Sequence, residues 1–163
     1  VLYIRMKQTN KSKTLKSKMT FPKNKTRRTI PTNKSLISFE KEVVVKFLQI
    51  LNTIKLFHWR TYSYATHEAT DDLYESLNTH IDRFIEILLG KTQNRIKLGN
   101  KSMCLKDISS MVAFRKEINA YKSYLVDLDT HKGLLTMSNT DLFNIRDEIL
   151  GDLNQFLYLS TFK

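Results

Sequence analysis

Apolar residues recur at three- and four-residue steps in four separate stretches of this chain, the spacing that lines them along one face of an α-helix. The pattern is clearest over residues 68–90, where Leu73, Tyr74, Leu77, Ile81, Phe84, Ile85 and Leu88 form the stripe. Ahead of it, Val44, Phe47, Leu48, Leu51 and Ile54 predict a helix that begins near Ser38, a residue type favoured at N-caps. His58 continues that stripe, beside Trp59. Residues 60–66 break the pattern and form a short connection, with Thr66 as the cap of the second helix. A third helix is predicted over about residues 109–130, turning Ile108, Met111, Val112, Ile118, Tyr121, Leu125 and Leu128 inward. His131-Lys132-Gly133 closes it, the glycine supplying the left-handed residue that often follows a helix C-terminus. Asn139 or Thr140 caps a fourth helix whose stripe is Leu142, Ile145, Ile149, Leu153, Phe156 and Leu157. Gly151 within that helix predicts close packing against a neighbour, since glycine there costs roughly 1 kcal/mol relative to alanine.

After Gly90 the chain turns polar, and Gly99-Asn100 marks a turn within this longer link. Four helices with one long middle connection predict an all-α four-helix bundle. Glycine and proline are scarce, 4 and 2, which argues against a turn-rich β-sandwich or barrel. A length of 163 residues suits one folded domain with a sizeable core.

Charge divides the chain in two. The net charge is +11, and eleven cations, from Arg5 to Lys34, precede the first acidic residue, Glu40. The remainder holds 27 − 11 = 16 basic residues against 16 acidic ones, a net of zero. The domain plan is therefore a basic extended arm over residues 1–36 and a helical bundle over residues 37–163. The arm is rich in Lys, Ser, Thr and Asn without apolar periodicity, so the expectation is that alone in water it is disordered. Its cations Lys11, Lys13, Lys16, Lys18, Lys23, Lys25, Arg27 and Arg28 are the candidate contacts to a polyanion, and Leu15, Met19, Phe21 and Ile30 are apolar anchors suited to grooves of a partner protein. The bland alternative is a solubilising tail.

Cys104 is the single cysteine, which forbids an intrachain disulfide and suits a reducing interior. No apolar run approaches the roughly 20 residues that span a bilayer. The opening Val1-Leu2-Tyr3-Ile4 is too short for a signal peptide core, and the arm has no apolar face to insert into lipid. An intracellular or virion-internal protein is expected, neither secreted nor membrane-bound. The chain opens on Val1 rather than methionine, so the expectation is either a fragment or a start at Met6 or further upstream.

Chemistry concentrates on the second helix. His67, Asp71, Glu75, Asn78, Asp82 and Glu86 are spaced 4, 4, 3, 4 and 4, so they stack in a row beside the apolar stripe. Such a row is either a metal-binding rail or the edge of a wetted face. Imidazole with carboxylate oxygens suits iron, and carboxylates at i, i+4 can share an ion with a histidine from a neighbouring element. No Glu-x-x-His occurs, so the intrasubunit di-iron arrangement of ordinary ferritins has no support.

His58-Trp59, His67-x-x-x-Asp71 and Asp82-x-x-x-Glu86 resemble the ferroxidase pattern of the Dps-like mini-ferritins, and the last helix is similar to that family's closing helix. The resemblance spans roughly residues 39–162. It implies a ferritin-like bundle, an oligomer, and iron held between two subunits by His58, His67, Asp71, Asp82 and Glu86. A lysine-rich arm in that family binds DNA. This chain departs from the pattern in three ways. The interval from His58 to His67 is about one turn short, Ile87 stands where an arginine usually follows, and Gly90 comes early. The form HWRTYSYATH with the later DRFIEILLG looks closer to an uncharacterised ferritin-like family of large DNA viruses. Two functions follow as expectations. One is a non-catalytic structural protein, a minor capsid-associated component anchored through its arm to virion proteins or nucleic acid. The other is a Dps-like ferroxidase that stores iron and binds DNA.

Overall fold

The computed structural model describes residues 34–162, and within them the chain is all-helical. Four α-helices form: α1 (Lys34–Arg60), α2 (Tyr64–Thr92), α3 (Met111–Asp127) and α4 (Thr140–Leu159), with a short 3-10 turn, Leu128–Thr130, closing α3. No helix among the described residues is long and apolar enough to cross a membrane.

Side-chain contacts give the order and direction of the helices. Lys55 meets Asp71 near the α1–α2 turn while Glu40 receives a hydrogen bond from Asn94 beyond the far end of α2, so α1 and α2 are antiparallel. Lys91 pairs with Asp141 and His80 with Asp152, which sets α4 antiparallel to α2. Phe57 stacks on Phe114, with ring centroids 3.9 Å apart, and His131 stands against Phe39, so α3 runs antiparallel to α1. Arg115 bonds Ser160 and Arg146 reaches Asp129, which closes the ring between α3 and α4. Taking α1 as up, the order is up, down, down, up. Two helical hairpins are thus joined by one crossover, residues 93–110, that must return the chain to its starting end. It travels beside α1: Asn94 bonds Glu40, the Cys104 carbonyl accepts from Gln49, and Asp107 pairs with Arg60. Gly99 bends it with a φ of 63°, in agreement with the turn expected there.

The core is one cluster, led by Phe39, Phe47, Ile54, Leu77, Phe84, Phe114, Ile118, Leu142 and Leu153. Several expectations are corrected. The first helix begins at Lys34, so Ser38 lies inside it and Leu36, assigned to the arm, is buried in the core. Its inward stripe runs Phe39, Val43, Phe47, Ile50, Ile54 and Phe57, whereas Leu48 is exposed and Val44 half-buried. The stripe shifts because α1 faces α2 on one side and the aromatic side chains of α3 on the other. The cap of α2 is Ser63, whose hydroxyl accepts from the Thr66 amide, which lengthens α2 by three residues, just under a turn, and confines the connection to residues 61–63. On α3 the inward residue is Phe114, not Val112, which points to water. Asn139 is the cap position of α4, as expected.

Two glycine expectations also fail. Gly133 is not left-handed, because Gly99 is the one glycine with positive φ. Instead Gly133 lies buried against α1, where a Cβ would fall 2.6 Å from the Phe39 Cβ. Gly151 is exposed with nothing within 4 Å of a Cβ position, so no close helix packing occurs there.

Candidate functional site

The site starts from a three-residue turn. Because residues 61–63 alone join α1 to α2, the last turn of one helix faces the first turn of the other. His58 and His67 meet across that gap with stacked rings, centroids 3.8 Å apart and planes 25° from parallel. His58 Nδ1 lies 3.0 Å from the His67 carbonyl, and His67 Nδ1 lies 3.2 Å from the His58 carbonyl. A carbonyl oxygen only accepts, so each Nδ1 carries a proton and donates it to the other residue's backbone. The exchange satisfies a carbonyl that the end of α1 would otherwise leave unpaired. It also sets the tautomer: in the neutral rings both Nε2 atoms keep their lone pairs. Thr70, buried one turn on, helps hold His58 at 3.3 Å from its hydroxyl, which itself donates to the Thr66 and His67 carbonyls.

Asp71 is the third member. Its carboxylate lies 3.7 Å from His58 Nε2 and 2.9 Å from the Lys55 ammonium, and Lys55 also rests over the Tyr74 ring at 4.8 Å. The Lys55 hydrogen bond holds the Asp71 carboxyl below the usual carboxylate range; desolvation offsets part of this, and the Lys55 charge and the two histidines add smaller pulls downward. Lys55 thus occupies the carboxylate on which a cation would otherwise act.

Asp82 and Glu86 are elsewhere. At 1.5 Å per residue they stand roughly 16 and 22 Å along the axis of α2 from Asp71, and both face water. Glu75 and Asn78 face water too, so the row divides into a paired end and a solvated remainder. The five candidates His58, His67, Asp71, Asp82 and Glu86 therefore do not converge within one chain. Among the described residues no three His, Cys, Asp or Glu side chains are grouped to hold a metal ion. The arm candidates Lys11, Lys13, Lys16, Lys18, Lys23, Lys25, Arg27 and Arg28 lie outside the described residues.

Comparison with known proteins adds one relation. A model for a family of unknown function, DUF5856, matches residues 58–159. The chain belongs to this family. The DUF5856 match opens at His58, takes in α2, the crossover, α3 and all of α4, and leaves most of α1 outside. No curated protein and no solved structure matches the chain.

Three features were not foreseen. Lys55 lies three residues before His58, on the same helical face, a spacing that sets it beside the histidine pair without pointing to Asp71 as its partner. His80 bridges α2 to α4, with Nδ1 2.7 Å from Asp152 and Nε2 3.7 Å from Glu148, which Arg83 also approaches at 3.5 Å. Arg146 is buried on α4, paired with Asp129 and Asp147 and stacked 4.7 Å from the Phe143 ring. Asp152 and Glu148 come to His80, and Asp129 to Arg146, from other elements, so sequence spacing gives no sign of these pairings.

Proposed function

We propose that this chain is a ferritin-like four-helix bundle that serves as a structural component of a larger assembly, tethered through its basic N-terminal segment to nucleic acid or to acidic protein partners. The resemblance to a ferritin-like family of large DNA viruses makes a virion the assembly of choice. The observation that carries this reading is the segregation of charge: eleven cations precede Glu40, and the rest of the chain is neutral. A neutral body gives no long-range pull on a polyanion, so attraction rests on the leading segment. Helix order up, down, down, up with a single long crossover is the connectivity of ferritin-like bundles, which supports the scaffold half of the proposal.

The test is binding of duplex DNA, followed by fluorescence anisotropy over a range of salt, with the full chain and with residues 1–33 removed. About six phosphate contacts give a log–log salt slope near −5. Loss of that slope on removal supports nucleic acid as the partner. An unchanged slope refutes a tether in this segment, and DNA binding without salt dependence refutes the electrostatic account. If neither protein binds DNA but removal blocks incorporation into particles, the partner is protein.

A second reading, an iron site shared between two copies, is favoured by the reciprocal His58–His67 bonds. Histidines that bind metals commonly donate the remote ring N–H to a carbonyl, as both do here. The donor set fits in part: two Nε2 lone pairs are available, while Asp71 must first release Lys55. His58 and His67 of one copy with Asp82 and Glu86 of another would hold the ion, which supplies redox chemistry when bound. Anaerobic Fe(II) addition followed by oxygen distinguishes the readings: rapid oxidation that His67→Ala and Asp82→Ala both abolish supports the iron site, and its absence in the unaltered protein refutes it.

A further inference from the structure

We propose that the groove between the first turns of α2 and the end of α4 binds an aliphatic polyamine, its methylenes on the apolar wall and its ammonium groups on Glu68, Asp72 and Asp152. The proposal rests on neither the leading basic segment nor the histidine pair.

The groove follows from the sequence of α2. Ala65 and Ala69 stand one turn apart, and their methyl groups leave unfilled the space that longer side chains would take against α4. The result is a groove of about 410 Å³, walled by those two alanines with Leu73, Phe156 and Leu159. That is the size of a small-molecule site, about 300–1,000 Å³. From Ala65 to Ser76 it runs roughly 16 Å along α2. Asp152 lines it towards His80, whose Nδ1 lies 2.7 Å from Asp152 Oδ2.

Its charge is of one sign. Glu68 and Asp72 are exposed, about 6 Å apart along α2, and have no ion-pair or hydrogen-bond partner among the described residues. Asp152 has Oδ1 unpaired among the described residues, since the His80 bond uses Oδ2. No lysine or arginine lines the groove. The two cations of α2 are engaged outside it, Arg83 with Glu148 and Lys91 with Asp141.

Shape and charge together select the occupant. A metal ion leaves the apolar wall uncovered. An α-helix of the groove's length, about 10 Å across, occupies roughly 1,200 Å³, three times this space. An extended peptide brings amides that two helices, their own backbone bonds already closed, cannot pair. A polyamine is slender and has no such groups. Its three- or four-carbon spacers part the ammonium groups by about 5–6 Å, close to the rise from Glu68 to Asp72, so each ammonium meets a carboxylate in turn.

The test is isothermal titration calorimetry of the full chain with spermidine at about 50 mM NaCl. One site with a Kd on the order of 100 µM is expected. Glu68→Gln with Asp72→Asn should weaken it at least about 10-fold. Asp82→Asn with Glu86→Gln removes the same charge from the solvated part of α2 and should change it less than about 2-fold. Ala65→Leu, at an exposed position, fills the groove without altering its charge and should weaken binding at least about 5-fold. Hexaamminecobalt(III) carries spermidine's charge without its methylenes and should bind at least about 5-fold more weakly. Absence of binding up to about 5 mM spermidine overturns the proposal. So does equal loss from the two acid pairs, unchanged binding in Ala65→Leu, or hexaamminecobalt(III) binding as tightly, each of which reduces the effect to counterions on an acidic face. An octalysine peptide that binds more tightly per cation than spermidine assigns the groove to a protein partner and overturns it equally.

Discussion

Gly133 offers a sharp test of the packing, because two physical reasons for a glycine there predict opposite results. Replace it in turn with alanine and asparagine. A Cβ at this position would lie 2.6 Å from the Phe39 Cβ, 3.0 Å from the Ser35 carbonyl oxygen and 3.1 Å from His131 Nδ1. Non-bonded carbons rest about 3.5–4.0 Å apart, so a methyl must push the loop roughly 1 Å from α1. Neither of the two nearest neighbours yields easily: the Phe39 Cβ and the Ser35 carbonyl belong to the body of α1. The His131 ring, 4.8 Å from that of Phe39 and accepting from the Gly133 amide, moves with the loop. Overpacking costs about 1–3 kcal/mol, and with rigid neighbours the upper half of that range applies to alanine. At roughly 3 °C per kcal/mol this lowers Tm by about 6–9 °C. Asparagine, larger by an amide, should be worse. Thermal and urea unfolding followed by far-UV circular dichroism measure both. If the glycine served a left-handed conformation, asparagine would be better tolerated than alanine, since it enters that region more easily. Asparagine equal to or better than alanine refutes the packing account.

Three further predictions concern the core and the paired ends of α2. Phe114→Ala removes a fully buried ring that touches Phe57 and Phe156 and should cost about 3–5 kcal/mol in urea unfolding, whereas Val112→Ala should stay within about 0.5 kcal/mol. His58→Ala should cost about 2–3 kcal/mol and His67→Ala about 1 kcal/mol, because only His58 is buried; the double variant should cost less than the sum, since each substitution already breaks the shared exchange. For pH, Lys91 holds Asp141 below its usual 3.8, as Lys55 does Asp71. A carboxyl lowered on folding adds stability above its unfolded pKa and loses it as pH falls through the folded value, so these pairs matter in acid below about pH 4. Lys91→Met should raise the Asp141 titration towards 3.8 in a carboxyl NMR titration and leave Asp71 unmoved.

The helices were legible because their apolar spacing is regular: Leu73, Leu77, Ile81, Phe84 and Leu88 of α2 are buried as read, as are Leu142, Ile145, Ile149, Leu153 and Phe156 of α4. Where a helix meets two neighbours the pattern alone misleads. Leu48 and Val112 fit a helical stripe as well as Ile50 and Phe114 do, and only tertiary packing separates them. The α2 cap was misplaced because Ser63 and Thr66 are both favoured cap types, and the hydroxyl that accepts is decided by backbone geometry. For the candidate site, the row on α2 was legible as a row. That His67 would face His58, and that Lys55 would engage Asp71, followed from the length of the turn, a quantity the spacing of apolar residues fixes only to within a turn.

The crossover gives the molecule a seam. Covalent continuity between its two hairpins passes through residues 93–110 alone, while cohesion comes from rings interleaved across the helices. Lys97 and Lys101 project from that strap into solvent, within reach of trypsin. A single cut there would leave two fragments gripping each other as one particle, separable in denaturant and able to find each other again. The body is, in effect, two interlocking pieces that happen to be translated in one run.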